Sequence, residues 1–141
     1  MKDLKYLFAY TVPLATLISF NSFGIGTYTA VFYAFVVLPI LDVVLGKSSN
    51  NLTESKREEK KLNKIFDWML YINLPIVYIL MVYGFNKVSS IDYTISEKIG
   101  LYLSGGILLA TNGINVAHEL CHRRKYYEKF IGKALFLPCL Y

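Results

Sequence analysis

The chain has 141 residues, 55% of them hydrophobic and 16% aromatic, and a formal net charge of +5. Its apolar residues come in long charge-free blocks, which excludes an ordinary soluble domain and points to a membrane protein. The basic residues lie between those blocks and not on a binding face, so nucleic acid is excluded as the partner. Two cysteines, Cys121 and Cys139, are too few for a disulfide framework.

From Tyr6 to Leu41 no residue carries a charge. These 36 residues are too many for one bilayer crossing and enough for two. Asn21-Ser22-Phe23-Gly24-Ile25-Gly26 near the middle supplies turn chemistry. The block therefore predicts a tight helical hairpin, about residues 4–20 and 26–45, with Pro13 placed to kink the first helix. Lys2 and Lys5 before an apolar run also fit a signal peptide, but no small-residue cleavage pattern follows Phe20. Asp42 sits inside the second apolar block, where an ionisable side chain is costly. It reads either as an interfacial carboxylate reaching water or as a contributor to a site at that end of the bundle.

Lys47 to Lys64 is a polar interruption rich in both charge signs, read as a solvated linker with a loop at Ser48-Ser49-Asn50-Asn51 and a short charged helix. Trp68–Asn86 and Ile99–Ala117 are each 19 residues without a charge, one crossing apiece at the α-helical rise. The expectation is an all-α polytopic membrane protein with four spans, near residues 4–20, 26–45, 67–86 and 99–117. With the N-terminus inside, the cytosolic segments hold 13 of the 15 basic residues, leaving only Lys87 and Lys98 outside. Gly105, Gly106 and Gly113 in the fourth span are small residues that let another helix approach.

At the cytosolic end of that span stand the only two histidines, His118 and His122, in His118-Glu119-Leu120-Cys121-His122. Four residues apart in a helix, two imidazoles lie on one face about one turn from each other, which is half a metal site. Asn115, three residues earlier, shares that face, either as a second-shell amide orienting an imidazole or as an interhelical hydrogen-bonding group. The chemistry stays open at this point. His-Glu-x-x-His suits a zinc peptidase in which Glu119 activates water, but such a site needs a third protein ligand and no third histidine exists. It equally suits a non-haem iron site built from several such boxes. A non-catalytic membrane protein with a histidine pair packed at a helix end is the remaining reading.

Asn112-Gly113-Ile114-Asn115-Val116-Ala117-His118-Glu119-Leu120-Cys121-His122-Arg123 resembles the first histidine box of the membrane-bound alkane 1-monooxygenases, in the integral-membrane fatty acid desaturase/hydroxylase superfamily. The run Tyr127–Leu135 leading to Leu140-Tyr141 and the segment Leu38-Pro39-Ile40-Leu41-Asp42 are similar to that family as well. The resemblance implies six spans in a full-length parent, of which this chain carries an N-terminal part. It implies two irons held mostly by histidines from three boxes, O2 activation, and terminal hydroxylation of medium-chain alkanes, a step of lipid metabolism. It further implies electrons from a rubredoxin-type donor and a place in the bacterial inner membrane, with the site on the cytosolic side. His118 and His122 match the first-box iron ligands and Glu119 the box glutamate, while Cys121 stands where the family usually has glycine. The other two boxes would lie beyond Tyr141, so the chain alone is expected to be inactive.

Overall fold

A computed structural model of the chain describes residues 8–45 and 64–140. The expected charged linker with its loop and short helix, and the first residues of the expected first span, lie outside these. Among the described residues every element is helical. In chain order they are α1 (Thr11–Phe20), α2 (Thr29–Phe32), α3 (Leu38–Leu45), α4 (Lys64–Tyr71), α5 (Asn73–Ser90), α6 (Ile95–Leu108), α7 (Asn115–Cys121) and α8 (Tyr126–Phe136). Tighter or wider turns join several of these into longer rods. Three rods are long and apolar enough to cross a membrane: Gly24–Val44, Ile65–Ser90 and Ile95–Cys121. Phe8–Phe20 is a shorter apolar helix. Two of the three rods outrun the charge-free blocks, because Asp67, Glu97 and Lys98 each find a place inside the helical rod.

The turn at Asn21–Phe23 closes the first hairpin as the sequence predicts. Gly24 adopts φ +57, a left-handed conformation that costs glycine little. Its N–H donates to Glu97 Oε1 at 2.7 Å. Glu97 also completes a capping box with Thr94 at the start of α6, so one carboxylate ties the hairpin turn to the α5–α6 connection. Pro13 falls in the first turn of α1, just after the 3-10 turn at residues 8–10, and the Ala9 carbonyl that its missing N–H leaves open accepts Asn112 Nδ2. Departures from regular α geometry also fall at two other prolines. Pro39 cannot donate to the carbonyl of Phe35, and the preceding turn, Tyr33–Val37, widens to π geometry. Pro75 coincides with the break between α4 and α5, where Asn73 Nδ2 donates to the carbonyls of Met69 (2.8 Å) and Leu70 (3.2 Å).

Lipid is as apolar as leucine, so close packing and internal polar bonds hold such helices together. The closest approaches are made at glycine. A Cβ at Gly84 would meet the Phe20 ring at 2.6 Å, and one at Gly100 would meet Thr27 Oγ1 at 2.3 Å. Of the glycines singled out in the fourth span, Gly113 makes a tight approach, to Cys139 Sγ at 3.0 Å; Gly105 meets Phe20 at an ordinary 3.7 Å and Gly106 faces open space. Phe20, Leu80, Tyr93, Leu101 and Leu108 form one buried cluster, joining α1, α5 and α6. Val77, Ala117, Leu120 and Leu135 form a second, which holds α7 and α8 against α5. Buried hydroxyls are satisfied across elements: Ser104 Oγ donates to the Thr27 carbonyl at 2.8 Å, and Ser19 Oγ accepts the Ala30 N–H at 3.0 Å. Among the described residues no buried side-chain polar atom lacks a partner, as a low-dielectric environment demands.

Candidate metal centre at the end of α7

α7 continues the rod of α6 through a six-residue π-turn, Leu109–Ile114. It ends at His122, whose N–H closes the last turn on the His118 carbonyl at 3.2 Å. His118 and His122 are therefore successive residues of one helical ridge, as their spacing predicts. Both are exposed, as are Asn115 and Glu119. The opposite face, with Ala117 and Leu120, is buried in the second cluster. The four site candidates on α7 thus share one uncovered face. The His118 ring meets Phe136 of α8 edge to face, with ring centroids 4.9 Å apart.

A Cβ at Gly132 would meet Cys121 Sγ at 2.8 Å, which places that sulfur in the α7–α8 crossing and not beside the imidazoles. Asp42 is exposed on α3. Among the described residues no group of three or more His, Cys, Asp or Glu side chains could hold a metal ion. The imidazole pair suits iron or zinc by donor type, and it supplies part of a coordination shell.

Arg123, next to His122, organises the polar surroundings. It pairs with Asp67 on α4, with Glu128 on α8 at 3.2 Å, and through Nε with Glu119 at 3.5 Å. Glu128 is 2% exposed and also accepts the Tyr71 hydroxyl at 2.6 Å. Burial pushes the Glu128 carboxyl upward, but the Tyr71 hydroxyl and the Arg123 guanidinium outweigh it and hold the group below the usual carboxylate range. Burial works against the Arg123 charge too, and the two carboxylates more than restore it. The sequence shows Arg123 as a basic residue after the box, but Asp67 and Glu128 lie 56 and 5 residues from it and carry no spacing signal.

A second polar knot lies one to two turns before the histidines. Asn112 is buried, and its Nδ2 donates to Asn73 Oδ1 at 2.8 Å and to the Ala9 carbonyl at 3.1 Å. Thr111 Oγ1 donates back to the Ile107 carbonyl at 2.8 Å. The buried amide in this region is Asn112, whereas Asn115 lies on the exposed face with the histidines.

The chain is similar to curated alkane monooxygenases. Alkane 1-monooxygenase 2 of Alcanivorax borkumensis is 30% identical over 149 aligned residues, covering 100% of this chain and 39% of that protein. An alkane 1-monooxygenase of Pseudomonas putida is 29% identical over 77% of this chain and 26% of its own length. Alkane 1-monooxygenase 1 of Alcanivorax borkumensis is 27% identical over 69% of this chain and 24% of its own length. The chain thus spans well under half the length of these relatives. No protein-family profile and no solved structure matches it.

Proposed function

We propose that the chain is the N-terminal part of a membrane-bound non-haem di-iron oxygenase that hydroxylates the terminal carbon of alkanes with O2. The observation that carries this reading is the exposed His118/His122 ridge at the end of a membrane-length helix, in a chain similar along its whole length to an alkane monooxygenase. His118 and His122 would hold iron from one side. The remaining ligands, two further histidine clusters, belong to other parts of a longer parent with six spans, so this chain alone is inactive. Bound iron supplies the redox chemistry, with electrons from a rubredoxin-type donor on the cytosolic side of the bacterial inner membrane. The chain's own part is to fix the two imidazoles on a common face at that side. It counts as four spans when the shorter Phe8–Phe20 helix is taken as the first.

The similarity to alkane monooxygenases favours the oxygenase over the zinc peptidase. The test is iron content and alkane hydroxylation in the full-length parent. His118→Ala and His122→Ala each lower bound iron and abolish hydroxylation, whereas Glu119→Gln lowers the rate without eliminating it. Stoichiometric zinc, with peptide cleavage that Glu119→Gln abolishes, overturns the reading.

A further inference from the structure

The buried stripe of the last rod changes phase just before the histidines. In α6 it runs Leu101, Ser104, Gly105, Leu108, the spacing of a regular helix. Continued at 3.6 residues per turn, it would pass through positions 112, 115, 119 and 122. Asn115, Glu119 and His122 would then be packed against the bundle, with His118 at the margin. The observed stripe instead passes through Asn112 and Gly113 to Ala117 and Leu120. The difference is one residue, and it arises in the π-turn Leu109–Ile114, whose wider loop holds one residue more than an α-turn. One residue is about 100° of rotation.

From this we infer that the π-turn is a positioning device: it rotates the box face out of the packed stripe onto the uncovered side of the bundle, and Asn112 pins it. The inference rests on the reading of His118 and His122 as metal ligands. Asn112 is held toward α1 and α5 by its bonds to the Ala9 carbonyl and Asn73 Oδ1. Thr111 Oγ1 donates to the Ile107 carbonyl within the same turn. Downstream, Gly132 lets α8 close onto Ala117 and Cys121 in the observed register. Side-chain bonds inserted into a helical ladder are a recognised cause of such widening, and here they decide which face the imidazoles occupy.

The experiment reads register directly, in the detergent-solubilised chain carrying Cys121→Ala and Cys139→Ala. A charged maleimide should label Glu119→Cys at least tenfold faster than Leu120→Cys; equal rates overturn the inference without any disruptive variant. Asn112→Leu removes the pin, so the turn should relax to α geometry: labelling of Glu119→Cys should slow at least tenfold, and Ni2+ binding by the histidine pair should weaken to the same degree. Deleting Ala110 in that variant removes the surplus residue, so a regular helix again carries Leu120 in the packed stripe and Glu119 outside it; both readings should return, which a merely unfolded variant would not allow. Unchanged labelling and Ni2+ affinity in Asn112→Leu overturn the inference. His118→Ala separates the two ideas: if it leaves Ni2+ affinity intact, the ligand reading fails, while the labelling ratio still decides the register.

Discussion

Gly132 and Glu128, both on α8, show how single residues fix the site from one helix away. At Gly132 a Cβ would come within 2.9 Å of the Ala117 carbonyl and 2.8 Å of Cys121 Sγ. A side chain can turn aside, but a helix carbonyl cannot. Gly132→Ala should therefore destabilise the chain by about 1–3 kcal/mol, measured by denaturant unfolding in micelles, and Cys121→Ala in the same chain should relieve only part of that. Glu128 is different, because its effect depends on pH. Its carboxyl is held below the ordinary value of 4.5, so its stabilisation is present above that value and is lost as pH falls through the lower folded value. Glu128→Gln should flatten this acid limb of the thermal-stability profile. An unchanged limb would show that the carboxylate is not ionised in the folded chain.

At the scale of elements, two interruptions of the rods are matched by side-chain hydrogen bonds. Asn73 caps the carbonyls left at the α4–α5 break, and its Oδ1 receives Asn112 from the π-turn of the last rod. Two irregular segments thus stabilise one another through a single amide pair. Replacing Asn112 by leucine leaves Asn73 Oδ1 buried without its donor, and replacing Asn73 takes one of the two acceptors from Asn112 Nδ2, each at a cost of about 1–3 kcal/mol. A double-mutant cycle of Asn73→Leu and Asn112→Leu should show the double variant well short of the sum of the singles. Additive losses would mean that the two breaks are independent.

For the whole molecule, the decisive property is how the chain sits in the bilayer. The described exterior is dominated by large apolar side chains, such as Phe35, Val43, Trp68 and Ile79, as lipid contact requires. The basic residues concentrate in the segments that the four-span reading places inside. Reporter fusions at Lys60 and at Ser90 should therefore report opposite sides of the membrane, with Lys60 in the cytosol. The same side for both would break the four-span arrangement and remove the box from the cytosolic face.

The sequence by itself determined that the chain is helical and apolar, where its rods lie, and that its two histidines share a helix ridge. Those properties follow from composition and from the fixed period of the helix, which hold wherever the rod is placed. It could not tell which prolines accompany an interruption of a rod: Pro13 falls in a first α-turn, while Pro39 and Pro75 follow a π-turn and a break. Nor could it tell which way the histidine ridge faces. A 3.6-residue period read through Leu101 and Leu108 would bury Glu119 and His122. Only the tertiary contacts of Asn112 with Ala9 and Asn73, 103 and 39 residues away, hold the π-turn that shifts the phase. The Arg123 network is of the same kind, since Asp67 meets it through packing and not through spacing. Local periodicity places residues on faces, but a helix face acquires a direction only when other helices pack against it.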